Sequence, residues 1–166
     1  MNHLSQIRNK FVGSDKIAAL AKEWKNDGEI VVFTNGCFDL LHLGHIEYLA
    51  QAADLGSKFI IGLNSDQSVK TLGKGELRPI KDQKTRGAIL AALEFVSAVV
   101  IFNEETPYQL IASILPNILV KGGDWETNSI VGASIVTKNG GQVKSIPFIE
   151  GHSTTNYVEK IQNGKS

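Results

Sequence analysis

The stretch Ile30-Val31-Val32-Phe33-Thr34-Asn35-Gly36-Cys37-Phe38-Asp39-Leu40-Leu41-His42-Leu43-Gly44-His45 decides how the chain is read. It opens on an apolar run of Ile, Val and Phe, the composition of a buried strand. A small polar turn, Thr34-Asn35-Gly36, follows. Two histidines three residues apart come next, with Gly44 between them, and a helical pattern begins. Ile46, Leu49 and Ala53 recur at spacings of three and four, and Gly56 supplies a stop. Strand, loop and helix start in that order make a phosphate cradle, because backbone N–H groups and the positive helix end face the same point. Residues at i and i+3 share a helix face, so His42 and His45 can both reach a ligand on the first turn. Gly44 removes a side chain where a nucleotide would approach. The competing reading makes both histidines ordinary surface or cap residues. Their spacing after an apolar strand and a glycine-bearing loop favours ligand contact.

Outward from this stretch, strands and helices alternate. Strands are predicted near 30–34, 58–63, 97–102, 117–121 and 142–147, with helices near 44–55, 82–94, 106–115, 128–138 and 154–163. The strands are short and mostly apolar rather than alternating, as in a sheet covered on both faces. The pattern predicts an α/β fold, a doubly wound five-stranded parallel sheet. Thr106-Pro107 is a good helix start and Gly140-Gly141 a good stop. Residues 1–13 are weakly patterned, either a frayed arm or a short helix. Ser14-Asp15 can cap a packing helix that runs to about Asn26, with Ile17, Leu20, Ala21 and Trp24 on one face. Asp27-Gly28 would end it.

At 166 residues the chain is long enough for one domain with a real core. Hydrophobic residues make up 42% and charged residues 20%, ordinary for a globular protein. Lysine plus arginine equals aspartate plus glutamate at 17 each, so the formal net charge is zero. That argues against a nucleic-acid partner held by bulk charge and leaves room for a small anion pocket. The single cysteine, Cys37, cannot form an internal disulfide, which suits a reducing compartment. No apolar stretch approaches the ~20 residues needed to span a membrane. The N-terminus has no basic segment followed by an apolar run, so no secretory leader is expected and the cytoplasm is the expected compartment.

The chemistry-bearing stretches all follow predicted strands, where open α/β sheets bind ligands. After the second strand stands Gly62-Leu63-Asn64-Ser65-Asp66, in which Ser65 or Asp66 either caps a helical turn or faces a ligand. A long loop, Thr71 to Ile80, has two glycines and a proline and the length of a lid. Its Arg78 offers a planar fork of donors for phosphate, or else is a solvated lid residue. Arg86, on the next helix, reads as a phosphate donor or a helix-surface ion pair; Lys70 and Lys74 are weaker candidates. After the fourth strand comes Val120-Lys121-Gly122-Gly123-Asp124-Trp125, with a point charge, two close-approach glycines and an aromatic wall. After the fifth, Glu150-Gly151-His152-Ser153-Thr154-Thr155-Asn156 opens the last helix with hydroxyls that can both cap it and hold an anion. The phosphate signatures G-x-G-x-x-G and G-x-x-x-x-G-K-[ST] are missing, which argues against a dinucleotide-dependent dehydrogenase or a P-loop kinase.

On these residues the chain resembles the cytidylyltransferase-like nucleotidyltransferase superfamily, whose mark is H-x-G-H after the first strand. The Thr34-Asn35-Gly36-Cys37-Phe38-Asp39 form is similar to that of the adenylyltransferase modules of ADP-heptose synthesis. The resemblance runs from about residue 29 to about residue 162. It takes in an N-S-D at Asn64-Ser65-Asp66, an R-P at Arg78-Pro79, a K-G-G-D at Lys121 to Asp124, and an S-T-T-N at Ser153 to Asn156. Thr85 precedes Arg86 where the family has Gln, and Trp125 stands where it has Tyr.

The resemblance implies a Rossmann-like nucleotidyltransferase fold with strand order 3-2-1-4-5, residues 29–166 forming the nucleotidyltransferase domain and 1–28 an N-terminal arm and packing helix, all in one compact unit. It implies transfer of AMP from ATP to D-glycero-β-D-manno-heptose 1-phosphate, giving ADP-heptose and pyrophosphate for lipopolysaccharide or another surface glycan. His42, His45, Lys121 and Arg78 are implied as catalytic. Thr34, Asn35, Gly36, Cys37, Phe38, Gly44, Asn64, Asp66, Arg86, Gly122, Gly123, Asp124, Ser153 and Thr154 are implied as nucleotide or substrate contacts. Mg²⁺ would bridge phosphate oxygens with few protein ligands. No protein nucleophile is required, so Cys37 is not assigned that role. Two alternatives remain: a glycerol-3-phosphate cytidylyltransferase-like enzyme and a non-catalytic nucleotide-binding module. The length leaves no room for a ribokinase-like domain, so a stand-alone enzyme is expected, with a homodimer as the common default.

Overall fold

In the computed structural model, which describes residues 2–73, 78–148, 151, 154–162 and 164 and leaves out the Asn156 side chain, five parallel strands lie in the order β3-β2-β1-β4-β5. They are β1 (Val31–Gly36), β2 (Lys58–Asn64), β3 (Ala98–Phe102), β4 (Ile118–Gly122) and β5 (Gln142–Ile146). The inner strands are apolar because both of their faces are covered, whereas the edge strand β5 carries Gln142, Lys144 and Ser145 and is only partly buried. Val31 and Phe33 point to one side with Ile60, Val100 and Leu119; Val32 points to the other with Phe59, Ile61, Val99 and Val120. The first side is covered by α2 (Ser14–Asn26) and α6 (Tyr108–Ile114), through Ile17, Ala21, Ile111 and Ile114. The second is covered by α3 (Leu43–Ala53) and α5 (Gln83–Ala91), through Leu49, Ala52, Leu90 and Ala91. Full burial of each such Val, Leu, Ile or Phe side chain stabilises the fold by roughly 1.5–3 kcal/mol before entropy is charged.

The weakly patterned start is ordered. Asn2 caps α1 (His3–Asn9) by accepting the Ser5 N–H at 3.2 Å. Beyond it the chain runs alongside β3: the Val99 N–H donates to the Lys10 carbonyl at 2.8 Å, and the Val12 N–H to the Val99 carbonyl at 3.0 Å. The outer edge of β3 is thereby paired at this point, which blunts an otherwise open sheet edge.

Two helices depart from expectation, at a glycine and at a proline, and a third realises one of the two roles weighed for Ser65. The region 128–138 is not one helix. A 3-10 turn (Thr127–Ser129) is separated from α7 (Ala133–Lys138) by Gly132, whose φ of +86° breaks the helical run. Pro107 sits at the N-cap of α6 rather than inside it, and Leu115 ends that helix in the left-handed region. After β2 the chain makes a short helix of its own, α4 (Asp66–Thr71), because the Ser65 hydroxyl accepts the Ser68 N–H at 3.1 Å. The last helix, α8 (Thr154–Gln162), follows β5. The strand order reverses between β1 and β4, so the loops after those two strands flank the crevice where doubly wound sheets bind ligands.

Candidate active site

A cavity of about 580 Å³ opens at that crevice. Its floor is Asn35, Gly36, Cys37, Phe38 and Asp39 from the end of β1; its walls are His45 and Tyr48 of α3, Lys121 and Gly122 of β4, then Trp125 and Phe148. Arg78 enters from the loop before α5, and Thr154 and Thr155 from the first turn of α8. Residues from Asn35 to Thr155 thus meet at one point, because parallel strands all deliver their C-terminal ends to the same side of the sheet.

The histidine pair is built differently from two neighbours on one helix. His42 is the N-cap of α3, extended at φ −137° and ψ 173°, and its carbonyl accepts the His45 N–H at 2.9 Å. The two rings nevertheless stack, with centroids 3.9 Å apart. Phe38 packs edge-on against His45 at 5.6 Å and holds a φ of +46°, a left-handed conformation that non-glycine residues seldom adopt. Such strain costs about 1–3 kcal/mol and collects at functional sites.

Asp39 was not singled out by the sequence, although it stands three residues before His42. It is buried, and it holds the root of the lid loop. The Arg78 Nε lies 2.6 Å from Oδ2, and the Ile80 and Lys81 N–H groups donate to Oδ1 at 2.9 and 3.0 Å. Arg78 therefore reaches the cavity on a fixed mount.

Of the two roles weighed for Arg86, the ion pair is present, with Asp66, but a buried guanidinium makes it. It is buried rather than on a helix surface, and its donors go to the protein rather than to the cavity. Nη1 donates to the Cys37 carbonyl at 2.6 Å, Nη2 to Asp66 Oδ1 at 2.8 Å, and Nε to the Lys81 carbonyl at 3.0 Å. One guanidinium ties together the floor loop, α4 and the lid root. Asp66 is correspondingly its ion-pair partner and does not line the cavity. Asn64 is buried too, donating to the Ser68 hydroxyl at 2.9 Å. Thr34 is fully buried with its hydroxyl bonded to that of Tyr48, so its side chain does not face the cavity either. Burial and loss of hydration push the Tyr48 phenol up to about 12. Tyr48 is a proton-holding strut at neutral pH.

At the end of β4 the chain comes very close to its neighbours. A Cβ on Gly122 would stand 2.6 Å from the Phe148 ring and 3.2 Å from Tyr48. Gly123 has a φ of +108°, and its turn lets the Trp125 indole N–H donate to the Gly122 carbonyl at 3.1 Å. The Trp125 ring is thereby set at the rim and remains 53% exposed, an aromatic wall open to a ligand. Gly44, Gly123 and Asp124 adjoin the lining without forming part of it. Ser153 and Lys74 lie outside the described residues. Among the described residues no group of three or more His, Cys, Asp or Glu side chains could hold a metal. No helix among them is long and apolar enough to cross a membrane.

The chain is 49% identical over 161 residues to the bifunctional protein HldE of Wolinella succinogenes, covering 97% of this chain and 33% of that one. It is 51% identical to HldE of Rhodopseudomonas palustris, covering 98% and 36%, and 48% identical to HldE of Haemophilus ducreyi, covering 98% and 34%. The chain therefore spans about a third of the length of these relatives. Among solved structures, the lipopolysaccharide core biosynthesis protein of Thermoplasma volcanium superposes with a TM-score of 0.60 at 29% identity, covering 75% of this chain and all of that one. The pantoate-beta-alanine ligase of Francisella tularensis, complexed with beta-gamma ATP and beta-alanine, shares the fold alone: TM-score 0.64 at 13% identity, covering 89% of this chain and 72% of that one. The cytidylyltransferase-like family model matches residues 33–160, a span that holds the end of β1, the histidine pair, Arg78, Lys121 and the first turn of α8, and the chain belongs to that family.

Proposed function

We propose that this chain is an adenylyltransferase that joins AMP from ATP to D-glycero-β-D-manno-heptose 1-phosphate, releasing pyrophosphate and ADP-heptose for lipopolysaccharide or a related surface glycan, in the cytoplasm. The observation that carries the proposal is the convergence of His45, Arg78 and Lys121 on one cavity beside the switch in strand order. The near-50% identity to HldE proteins over almost the whole chain supports the acceptor and the nucleotide.

A phosphate oxygen of the sugar phosphate attacks the α-phosphorus of ATP. The new P–O bond forms as the bond to the bridging oxygen breaks, and that oxygen leaves with the electron pair on pyrophosphate. Such a transfer asks for positioning and for donors aimed where charge develops. His42 and His45 supply donors at the start of α3. Arg78 and Lys121 clamp the phosphates of donor and acceptor, Arg78 as a planar fork and Lys121 as a point charge. Ser153, Thr154 and the first turn of α8 hold the departing pyrophosphate. Asn35, Gly36, Cys37 and Phe38 bring backbone to the nucleotide, and Trp125 with Phe148 walls the opposite side. Mg²⁺ enters as part of the Mg–ATP substrate and neutralises phosphate charge. Asp39, the carboxylate in the cavity lining, is engaged by Arg78 and two backbone N–H groups, so the chain's own contribution is donors.

Pyrophosphate release tests the reading. The protein turns over with ATP and the heptose 1-phosphate, and His45→Ala lowers turnover roughly 100-fold, the scale for losing one donor to a transition state. Turnover with CTP and glycerol 3-phosphate in place of that pair, or tight ATP binding with no turnover, overturns it.

A further inference from the structure

Helix α8 does more than bring Thr154 and Thr155 to the cavity. One turn later Tyr157 lies against His42, with ring centroids 5.7 Å apart and planes 24° from parallel. His42 in turn lies against His45, with centroids 3.9 Å apart and planes at 31°. Phe38 meets His45 edge-on at 66°. Four aromatic rings thus form a continuous column from the last helix to the loop after β1.

We propose that Tyr157 is a positioning residue: its ring sets the plane of the His42 imidazole, and through it the aim of His45 into the cavity. The proposal rests on the reading of His42 and His45 as donors to the charge that develops in the transition state. His42 is the N-cap of α3, in extended conformation. Two features of the geometry carry the proposal. Tyr157 is 39% exposed, so core packing does not account for an aromatic ring there. The near-parallel planes are those preferred by offset-stacked rings, a contact that constrains orientation as well as distance. The column also links two ends of the site.

Steady-state kinetics on Tyr157→Leu and Tyr157→Phe, with equilibrium ATP binding on the same proteins, test this. Leu keeps apolar bulk and removes the plane; Phe keeps the plane and removes the hydroxyl. Tyr157→Leu lowers kcat roughly tenfold, less than the ~100-fold for misplacing a reacting group by an ångström, and leaves ATP affinity and melting temperature unchanged. Tyr157→Phe restores kcat. An unchanged kcat in Tyr157→Leu overturns the proposal, as does a parallel fall in kcat and ATP affinity, the mark of a helix that has merely come undocked. A readout independent of turnover separates this proposal from the functional one. The chain has four histidines, so the ring-proton NMR signals of His42 and His45 can be assigned by substitution. Loss of the Tyr157 ring shifts the His42 signal and then the His45 signal, whether or not any sugar phosphate is a substrate. Signals unmoved in Tyr157→Leu refute the positioning role even if the wild-type protein is a fully active adenylyltransferase.

Discussion

Asp39 and Arg78, 39 residues apart in sequence, meet at 2.6 Å between Oδ2 and Nε, with the carboxylate side chain fully buried. The same carboxylate accepts the Ile80 and Lys81 N–H groups, so it mounts both the side chain and the backbone of the lid root. Removing one partner of a buried pair leaves the other uncompensated and costs about 3–5 kcal/mol. Asp39→Ala is expected to lower stability by about 3 kcal/mol on that scale, read as a shift in the urea midpoint. Asp39→Asn keeps an acceptor for the backbone N–H groups, so it loses less stability while still freeing Arg78. Its expected signature is a raised KM for the phosphate substrates.

Arg86 makes a second long-range tie. Its guanidinium holds the Cys37 carbonyl, Asp66 and the Lys81 carbonyl, in a buried setting. Arg86→Leu removes three charge-assisted bonds and leaves Asp66 unpaired. A loss of about 3 kcal/mol is expected in denaturant unfolding. Arg86→Lys keeps the charge but cannot reproduce the planar fork, so it recovers only part of that loss. Full recovery by lysine would mean that charge alone, and not the three-way geometry, matters at this position.

Gly122 leaves no room for a side chain. A Cβ there meets Phe148 at 2.6 Å, and overpacking of this kind costs about 1–3 kcal/mol. Phe148 is half-exposed and can yield, so it is expected to swing into the cavity. Gly122→Ala should therefore weaken ATP binding more than it lowers the melting temperature. Calorimetric titration and thermal unfolding on the same sample decide between the two effects.

Tyr48 predicts a base-side instability. Burial raises its phenol from 10.0 to about 12 in the folded state, while the unfolded chain ionises near the lower value. Below pH 10 both states hold the proton and the contribution is complete. Between pH 10 and 12 the unfolded state releases its proton first, so stability falls as pH rises, by about 1.4 kcal/mol per pH unit at most. Tyr48→Phe removes this limb of the stability profile and also the bond to Thr34. Unfolding free energies measured from pH 8 to 12 should lose the drop in the variant and keep it in the wild type.

How much was legible beforehand depends on the range of the interaction. The strand at Val31–Gly36, the helix opening beside His42 and the parallel sheet were all readable, because apolar runs, caps and glycine stops act within a few residues. The break at Gly132 and the start of α6 after Pro107 were misjudged by a few residues, where a local pattern tolerated more than one boundary. The candidate phosphate contacts on loops after strands were readable for the same reason that the fold was: a parallel sheet gathers its loops at one end.

What no local pattern carried was the partner of each polar side chain. Thr34, Asn64, Asp66 and Arg86 read equally well as ligand contacts, and their chemistry is indeed that of ligand contacts. Only the folded chain brings Arg86 to Cys37 across 49 residues, Tyr48 to Thr34 beneath the cavity floor, and Asp39 to the lid root. A donor's role is decided by what lies within about 3 Å of it, and that is set by packing of elements distant in sequence. The sequence by itself determined the sheet, the crevice and the kind of groups that meet there; tertiary structure decided which of those groups face the crevice and which hold it in shape.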